Sequence, residues 1–339
     1  MYLFFKYFIL IAMNKRFYTY IFLISFFLFP LIIIGQSQKL VRQGKKITDP
    51  KQKIEIFTKA IEVDDKNLDA YFYRGLAKYD LQNYWSSILD FTKIIFSKPD
   101  ADTFYNRGNA KYALGDFEGA YEDYVMAIQY NRDFFQAYYN LGMAQFNLHK
   151  YKQAVQSFIF LLKYFPDDVN TNIQLGLSLT ELKQKELAIL FLNKSISLEP
   201  NSDTYHNRGI AYLNMKDFKK AAADFKKAIN LDKTNDSAYF YLGIAQLFDR
   251  NYTAAVKSFE DTLSFNSIDH ETLVALAVAN YHSENYDKAK HCFKKAKNIL
   301  AAENEFHKYK NDISLFKETS WSIDEGYIFE SYVERLNSL

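Results

Sequence analysis

Small residues recur along this chain at an almost constant interval, and this period constrains the fold more than any other feature of the sequence. Consecutive members of the series are 33 or 34 residues apart. The series consists of Gly75, Gly108, Gly142, Gly176, Gly209, Gly243 and Ala277. A fixed interval of this length indicates a repeat protein, in which each repeat is one supersecondary unit that buries its apolar side against its neighbours.

Two further positions keep the same register in every repeat. A small residue lies 12 positions after each member of the series, and a large apolar residue follows 4 positions later. The small residues are Ser87, Ala120, Ala154, Ala188, Ala221, Ala255 and Ala289, and the large ones are Phe91, Tyr124, Phe158, Leu192, Phe225, Phe259 and Phe293. Helix axes approach closely only where side chains are small, so the two small positions predict where paired antiparallel helices cross.

This pattern resembles the tetratricopeptide repeat over residues 68–303, with the periodic glycines at position 8 of that repeat and the other two positions at 20 and 24. The resemblance implies an all-α fold, a right-handed superhelical solenoid of helix-turn-helix repeats. The first helix of each repeat, helix A, is then expected to line the concave face. The seven predicted repeats are 68–100, 101–134, 135–168, 169–201, 202–235, 236–269 and 270–303.

The pattern is weaker at both ends of this array. Residues 37–67 are predicted to be a degenerate first repeat, with Leu40 and Val41 at positions 7 and 8. The period fades after Glu303, but apolar residues at helical spacing continue. Because an open solenoid must cover its last apolar face, residues 304–339 are predicted to form a C-terminal capping helix pair.

The N-terminal segment has the layout of an export signal. Residues 17–34 carry no charged side chain, and Lys15 and Arg16 precede them. Small residues at Gly35 and Ser37 then offer two cleavage points before the chain turns polar. The alternative is an uncleaved membrane anchor, because eighteen apolar residues approach the length of about 20 that spans a bilayer.

Residues 1–36 are therefore predicted to be a signal peptide or a signal anchor, and translation starts at either Met1 or Met13. Both interpretations place the repeats outside the cytoplasm, since the basic residues before the apolar run stay on the cytoplasmic side. We expect an exported protein of a bacterial periplasm or cell envelope, or one anchored in the inner membrane.

Composition and spacing argue against several classes of function. The formal net charge is +2, so the chain lacks the field that attracts nucleic acid. A single cysteine, Cys292, excludes an internal disulfide, and no two of the six histidines have the i, i+4 spacing of a helical metal site. The glycines are a whole repeat apart, unlike a phosphate-binding loop. We expect no catalytic residue, no metal and no cofactor.

Arginine and aspartate occur together in three of the repeats. Arginine replaces the usual leucine at position 7, and the same repeats carry aspartate at position 23, which gives the pairs Arg74 and Asp90, Arg107 and Asp123, and Arg208 and Asp224. The repeats with leucine at position 7 have Ser157, Phe191, Ser258 and Cys292 at position 23. This co-occurrence predicts a structural ion pair within each of the three repeats. The functional alternative is a ligand-binding arginine.

The resemblance also implies that positions 2, 5, 6, 9, 12 and 13 face a groove. Four successive amides at position 6 are candidates for a ladder that pairs with a peptide backbone, because an amide both donates and accepts. These are Asn106, Asn140, Gln174 and Asn207. Candidate groove residues at positions 5 and 12 are Tyr105, Tyr139, His206, Tyr112 and Phe146. The alternative for both sets is ordinary packing, since asparagine is common at position 6 in these repeats.

Position 2 of the repeats carries several acids and no base, for example Asp69 and Asp102. A clamp for a C-terminal carboxylate is therefore not expected, and the acids favour a partner that carries some lysine or arginine. The sequence predicts an exported, non-enzymatic scaffold that holds an extended peptide or a helix of another protein in its concave groove. The alternative is a membrane-anchored receptor or sensor ectodomain, tethered by residues 17–34. Contact with a membrane is expected only through that segment.

Overall fold

The computed structural model describes residues 33–303, and all regular secondary structure in this range is α-helical. The predicted apolar segment up to residue 32 and the predicted cap from residue 304 lie outside the described residues. Between residues 33 and 303 no helix has both the length and the apolar character needed to cross a membrane. The chain divides into two compact units, the first ending at Ser157 and the second beginning at Phe158.

The helices follow one another with short turns, and their bounds give one pair for each predicted repeat. Residues 33–44 are helical and form α1. The others are α2 (Pro50–Val63), α3 (Leu68–Asp80), α4 (Tyr84–Ser97), α5 (Ala101–Ala113), α6 (Phe117–Tyr130), α7 (Phe135–Asn147), α8 (Tyr151–Tyr164), α9 (Val169–Glu181), α10 (Lys185–Leu198), α11 (Ser202–Asn214), α12 (Phe218–Leu231), α13 (Asp236–Phe248), α14 (Tyr252–Phe265), α15 (His270–His282) and α16 (Tyr286–Glu303).

The turn between helix A and the second helix, helix B, has the same geometry in all seven repeats. Position 15 adopts a left-handed conformation with φ between 56° and 79°. It is occupied by Gln82, Gly115, His149, Lys183, Lys216, Arg250 and Glu284. The backbone N–H of position 16 donates a hydrogen bond to the carbonyl of position 11, as in the 3.0 Å bond from Asp116 to Lys111. This Schellman motif ends helix A and reverses the chain.

The two helices of a repeat cross where the sequence predicts. A Cβ atom added to Gly75 would lie 2.9 Å from the ring of Phe91, and one added to Gly209 would lie 2.8 Å from the ring of Phe225. The residue at position 20 is fully buried in each repeat. Glycine is needed at these crossings because the aromatic ring of helix B occupies the space of a side chain.

Within each unit the helices A of consecutive repeats approach one another more closely than the helices B do. In the first unit this applies to α3, α5 and α7, and in the second to α9, α11, α13 and α15. Helices A therefore lie on the inner side of the stack and helices B on the outer side. The all-α solenoid of stacked helix pairs that the period predicts is confirmed.

The first helix pair departs in detail from the predicted register. Val41 is buried beside Phe57, as position 8 requires. The close approach, however, is made by Gly44, whose added Cβ would lie 2.5 Å from the Phe57 ring. Valine is too large for an aromatic ring to rest on it, so the ring lies one helical turn further along.

Candidate functional site

The candidate site is the groove face, which we define as positions 2, 5, 6, 9, 12 and 13 of the helices A in each unit. In the first unit this face is tied together by side-chain hydrogen bonds. Asn140 Nδ2 donates to Asn109 Oδ1 at 2.8 Å and to the Tyr105 hydroxyl at 3.3 Å. The Tyr124 hydroxyl donates to the same Asn109 oxygen at 2.9 Å. Asn140 is thus a bridge between α7 and α5.

Asn109, at groove position 9, was not singled out as a candidate binding residue, although the sequence contains a signal for its role. Tyr124 is the one tyrosine in a series that otherwise has phenylalanine or leucine at position 24. A buried tyrosine hydroxyl requires a hydrogen-bond partner, and a polar residue facing it across the helix pair supplies one.

The other predicted ladder amides are held differently. Asn106 Nδ2 donates to the carbonyl of Asp102 at 2.7 Å, and Asn207 Nδ2 donates to that of Asp203 at 2.7 Å. Both bonds run back one turn within the same helix. Among residues 33–303 nothing donates to the Oδ1 atom of either asparagine, so this acceptor remains for a ligand. Gln174 lies half-buried on α9 in the second unit.

The predicted groove aromatics are all partly buried, and several are held by neighbouring rings. Tyr105 lies 4.7 Å from Phe134, Tyr112 lies 5.1 Å from Phe117, and Phe146 lies 5.3 Å from Tyr151, measured between ring centroids. Tyr139 is half-buried on α7. The rings therefore contribute to packing between helices and remain partly exposed.

A second side-chain hydrogen bond joins α7 to α5 at the end of the groove face, where Asn147 Nδ2 donates to the Tyr112 hydroxyl at 2.8 Å. Burial raises the pKa of Tyr112, and it raises the pKa of Tyr124 further. Both phenols consequently stay protonated at physiological pH. Their hydroxyl groups act as neutral hydrogen-bonding groups and add no negative charge to the groove.

His206 belongs to the packing of the second unit. Its ring lies 5.4 Å from Phe225 and 5.6 Å from Tyr241, and its Nδ1 atom is buried without a hydrogen-bond partner. Burial lowers the pKa of His206, so the imidazole is neutral at pH 7. This histidine behaves as an aromatic packing residue.

The charges on the groove face have one sign. No lysine or arginine occupies a groove-face position in the seven described repeats. The acids at these positions are Asp69, Asp80, Asp102, Glu181, Asp203 and Glu271. In the second unit an open pocket of about 240 Å³ is lined by groove-face residues that include Phe240, Tyr241 and Glu271. The groove face is thus aromatic, amide-rich and weakly acidic.

The three predicted arginine–aspartate pairs lie in contact, each with two nearly parallel hydrogen bonds. Arg107 donates from Nη2 and Nε to the two Asp123 oxygens at 2.7 and 2.8 Å. The corresponding bonds are 2.7 and 2.9 Å in the Arg74 pair, and both are 2.7 Å in the Arg208 pair. The aspartates are nearly buried, with 3 to 8% of their side chains exposed. Such two-bond pairs hold the two helices of a repeat in one orientation.

Each of these arginines also reaches the preceding repeat, which sequence reasoning missed. The Nη1 atom donates to Thr58 from Arg74 and to Thr92 from Arg107, both at 3.2 Å, and to Asn193 from Arg208 at 2.7 Å. These acceptors all occupy position 25. The sequence contains the signal, because position 25 before each leucine repeat is Val125, Ile159, Lys226 or Glu260.

Position 11 completes this polar cluster. Lys78 and Lys111 give Asp90 and Asp123 a second cation at 2.8 and 3.0 Å. In two leucine repeats the same positions hold a neutral pair, in which the Ser157 hydroxyl donates to Gln145 at 2.8 Å and the Ser258 hydroxyl to Gln246 at 2.8 Å. Positions 7, 23 and 25 therefore vary as a set, and position 11 follows them in the repeats with Arg74 and Arg107 and in the two with the glutamine–serine pair.

Residues 33–303 contain no group of histidine, cysteine and acidic side chains that could hold a metal ion. Cys292 is half-buried, and burial raises the pKa of its thiol. A raised pKa keeps this sulfur in the weakly nucleophilic thiol form.

Comparisons with known proteins match the repeats. A family model described as "TPR repeat" matches residues 108–149, and models described as "Tetratricopeptide repeat" match residues 135–168, 169–202 and 202–235. A search of curated proteins gave no match.

Solved structures share the fold. A tetratricopeptide repeat protein from Parabacteroides merdae is 19% identical, with a TM-score of 0.59 over 73% of this chain and 97% of that one. The C-terminal part of a TPR repeat-containing protein from Cytophaga hutchinsonii is 18% identical, with a TM-score of 0.51 over 72% and 99%. A chain of the APC/C hetero-tetramer Cut9-Hcn1 is 17% identical, with a TM-score of 0.58, and 90% of this chain spans 55% of that one. Residues 108–235 are therefore tetratricopeptide repeats by sequence, and the solved structures share the fold of the array.

Proposed function

We propose that this protein is a scaffold that holds a segment of another protein against its groove face. Tetratricopeptide repeats suggest a protein–protein interaction scaffold, and this fold is generally non-enzymatic. An array of such repeats offers a continuous row of side chains from successive helices A, which suits a long, narrow ligand.

The observation that carries the proposal is the composition of the groove face. Half-buried tyrosine and phenylalanine rings offer large contact area at a low cost in conformational entropy. Groove-face positions in the described repeats carry acids and neither lysine nor arginine. A partner segment with apolar or aromatic anchors and a few lysine or arginine side chains complements this surface.

The asparagines define how such a segment would be held. The Asn106 and Asn207 Nδ2 groups are engaged within their own helices, which fixes the orientation of each amide. The remaining oxygen can accept a hydrogen bond from a peptide N–H whatever the side chain beside it. An extended peptide presents such N–H groups along its length, whereas a helix has them internally paired. The extended form is therefore the better fit.

Export is the second part of the proposal. Ser37, one of the two predicted cleavage points, is fully buried, and its hydroxyl donates to the Ala60 carbonyl at 2.7 Å. Asn67 Nδ2 donates to the same hydroxyl at 2.7 Å. Cleavage after Ser37 would remove this link between α1 and α2, while cleavage after Gly35 would keep it. We therefore place the mature N-terminus at Gln36.

Charge reversal on the groove face tests the scaffold proposal. The partner is first isolated by affinity capture with the full chain from its native envelope and identified by mass spectrometry. Replacing Asp69→Lys together with Asp102→Lys should then weaken binding of that partner, and the loss should shrink at high salt because exposed charges are screened. Binding is measured by titration with the purified partner.

The matched control carries the same change of charge on the outer side of the same unit, at Glu62→Lys with Glu122→Lys. These glutamates are exposed on α2 and α6. The control should bind like the unaltered chain, and circular dichroism checks that both variants keep their helices. Equal affinity for the groove variant and the control would rule out the groove face as the binding surface.

A further inference from the structure

Helix α4 presents three large apolar side chains to solvent on its outer side. The exposed fractions are 72% for Trp85, 70% for Leu89 and 91% for Phe96. Their spacing places them along one face of the helix, and they extend over about 16 Å at 1.5 Å per residue. The opposite face of α4 buries Phe91 and Ile94 in the repeat. We call Trp85, Leu89 and Phe96 the outer stripe.

The other repeats show that folding does not require this stripe. It occupies positions 18, 22 and 29, which are Lys51, Glu55 and Glu62 in α2 and Glu118, Glu122 and Gln129 in α6. In the remaining repeats these positions are polar or charged, except for Leu190 and Ala223. The same helix pair therefore forms with a hydrated outer face. Three large apolar side chains at these positions in one repeat mark an interaction surface.

The charges around the stripe restrict what can cover it. The only exposed charge on α4 is Lys93, and Lys98 follows the helix, while the acid Asp90 is buried in its ion pairs. The preceding helix pair, residues 33–63, carries seven lysines and arginines against three acids, whereas the outer side of the following helix α6 carries Glu118 and Glu122. A second copy of this surface would bring lysine against lysine. An anionic, apolar partner is complementary to it.

We propose that the outer stripe inserts into the surface of an anionic lipid bilayer, so that the first repeats lie against a membrane. A helix face with tryptophan, phenylalanine and leucine beside lysine is typical of helices that lie in the interface, where indole rings rest at headgroup level and lysine reaches the phosphates. In the anchored alternative the uncharged segment 17–34 would hold these repeats near the same surface, whereas in a mature chain that begins at Gln36 the outer stripe would bind without it. This proposal does not depend on the groove face.

Trp85 is itself the probe, because the chain has only one other tryptophan, Trp321. The full chain with Trp321→Phe is mixed with phosphatidylethanolamine–phosphatidylglycerol vesicles, with and without bromine on the acyl chains. We expect the Trp85 emission to shift to shorter wavelength and to be quenched by the brominated lipid. Vesicles of phosphatidylcholine alone should give little of either effect, since they lack the anionic headgroups.

Two double variants test whether the outer stripe itself makes the contact with lipid. Leu89→Asp with Phe96→Asp leaves Trp85 in place and should abolish its quenching. Leu187→Asp with Leu190→Asp makes the same change on the outer side of α10 and should leave the quenching intact. Circular dichroism checks the helical content of each. If the Trp321→Phe variant does not fold, the emission of Trp85 is obtained by subtracting the emission of the Trp85→Phe variant from that of the unaltered chain.

Three results would overturn the proposal. One is a Trp85 emission that stays at the wavelength of a hydrated indole in anionic vesicles. Another is a shift of the Trp85 emission that occurs without lipid and grows with protein concentration, which would show that a second copy of the chain covers the outer stripe. The last is an emission that responds to a purified partner protein and is unaffected by brominated lipid, which would make the stripe a protein-docking surface.

Discussion

In the repeats with Arg74 and Arg107, four side chains form a small polar system whose members depend on one another, and one of the four belongs to the preceding repeat. In repeat 101–134 Asp123 is nearly buried; it accepts hydrogen bonds from Arg107 and forms a salt bridge with Lys111. Arg107 also donates a hydrogen bond to Thr92 of the preceding repeat. A carboxylate in this position is stable only while its cations remain, because an unpaired buried charge is far more costly than a neutral pair. The leucine repeats avoid the charge at position 23 altogether, and two of them use glutamine with serine instead.

This dependence predicts a large non-additivity. Arg107→Leu alone or Asp123→Ser alone should each destabilise the protein by about 2–4 kcal/mol, because each leaves charge without its partner in a mostly buried site. The triple change Arg107→Leu, Lys111→Gln and Asp123→Ser recreates the combination found at Leu141, Gln145 and Ser157. It should cost about 1 kcal/mol or less.

The measurement is urea unfolding followed by circular dichroism. A control triple on the exposed faces of the same helices, Asp102→Ala, Ala113→Ser and Glu122→Gln, should change stability by about 0.5 kcal/mol or less. Strict additivity of the Arg107 and Asp123 effects would show that the two side chains do not stabilise each other.

The element that repeats most faithfully is the turn between helices A and B. Six of the seven residues at position 15 have a side chain in a left-handed conformation, which strains every residue except glycine, and only Gly115 avoids the penalty. The N–H of position 16 still closes the same bond to position 11 in every repeat. The packing of the two helices therefore determines the left-handed conformation at position 15, and the intrinsic backbone preference of the residue there does not.

A glycine at this turn should stabilise the repeat that receives it. Lys216→Gly relieves the left-handed strain at φ 63° and should raise the free energy of unfolding by about 0.5–1 kcal/mol, after the larger entropy of glycine in the unfolded chain is subtracted. Thermal or urea unfolding of the full chain measures this change.

The control places the same substitution in the middle of α12, at the exposed Lys226. Lys226→Gly should destabilise by about 1 kcal/mol, since glycine in a helix interior has a poor helix propensity. If both variants lost stability equally, the left-handed turn would carry no strain that glycine relieves.

At the scale of the whole chain, one repeat motif supports surfaces with different chemistry. In the described repeats the groove face is free of lysine and arginine, and the outer faces of most helices B are charged. Among the described repeats, only repeat 68–100 combines a large apolar outer stripe with a basic helix pair before it. Stacked repeats contact only their neighbours, so such local differences do not disturb the fold.

The export proposal makes a prediction for the mature chain. Peptide sequencing of the protein from its native envelope should find an N-terminus at Gln36, because this keeps the buried Ser37 hydroxyl bonded to α2. An N-terminus at Gln38 would mean that the link is dispensable. An intact residue 17–34 segment would instead favour the anchored alternative.

The sequence by itself determined the fold, since a small residue every 33 or 34 positions and a large apolar residue 16 positions later leave little besides stacked helix pairs. It also indicated which arginine faces which aspartate, because arginine at position 7 and aspartate at position 23 are absent from the same repeats. Only the tertiary structure decided that Asn140 is a bridge, that Arg107 reaches Thr92 in the preceding repeat, and that Trp85, Leu89 and Phe96 meet solvent. Periodicity states which side of a helix a residue occupies. The length and direction of each side chain, and what the adjacent repeat places beside it, decide whether that residue is buried, bonded or exposed.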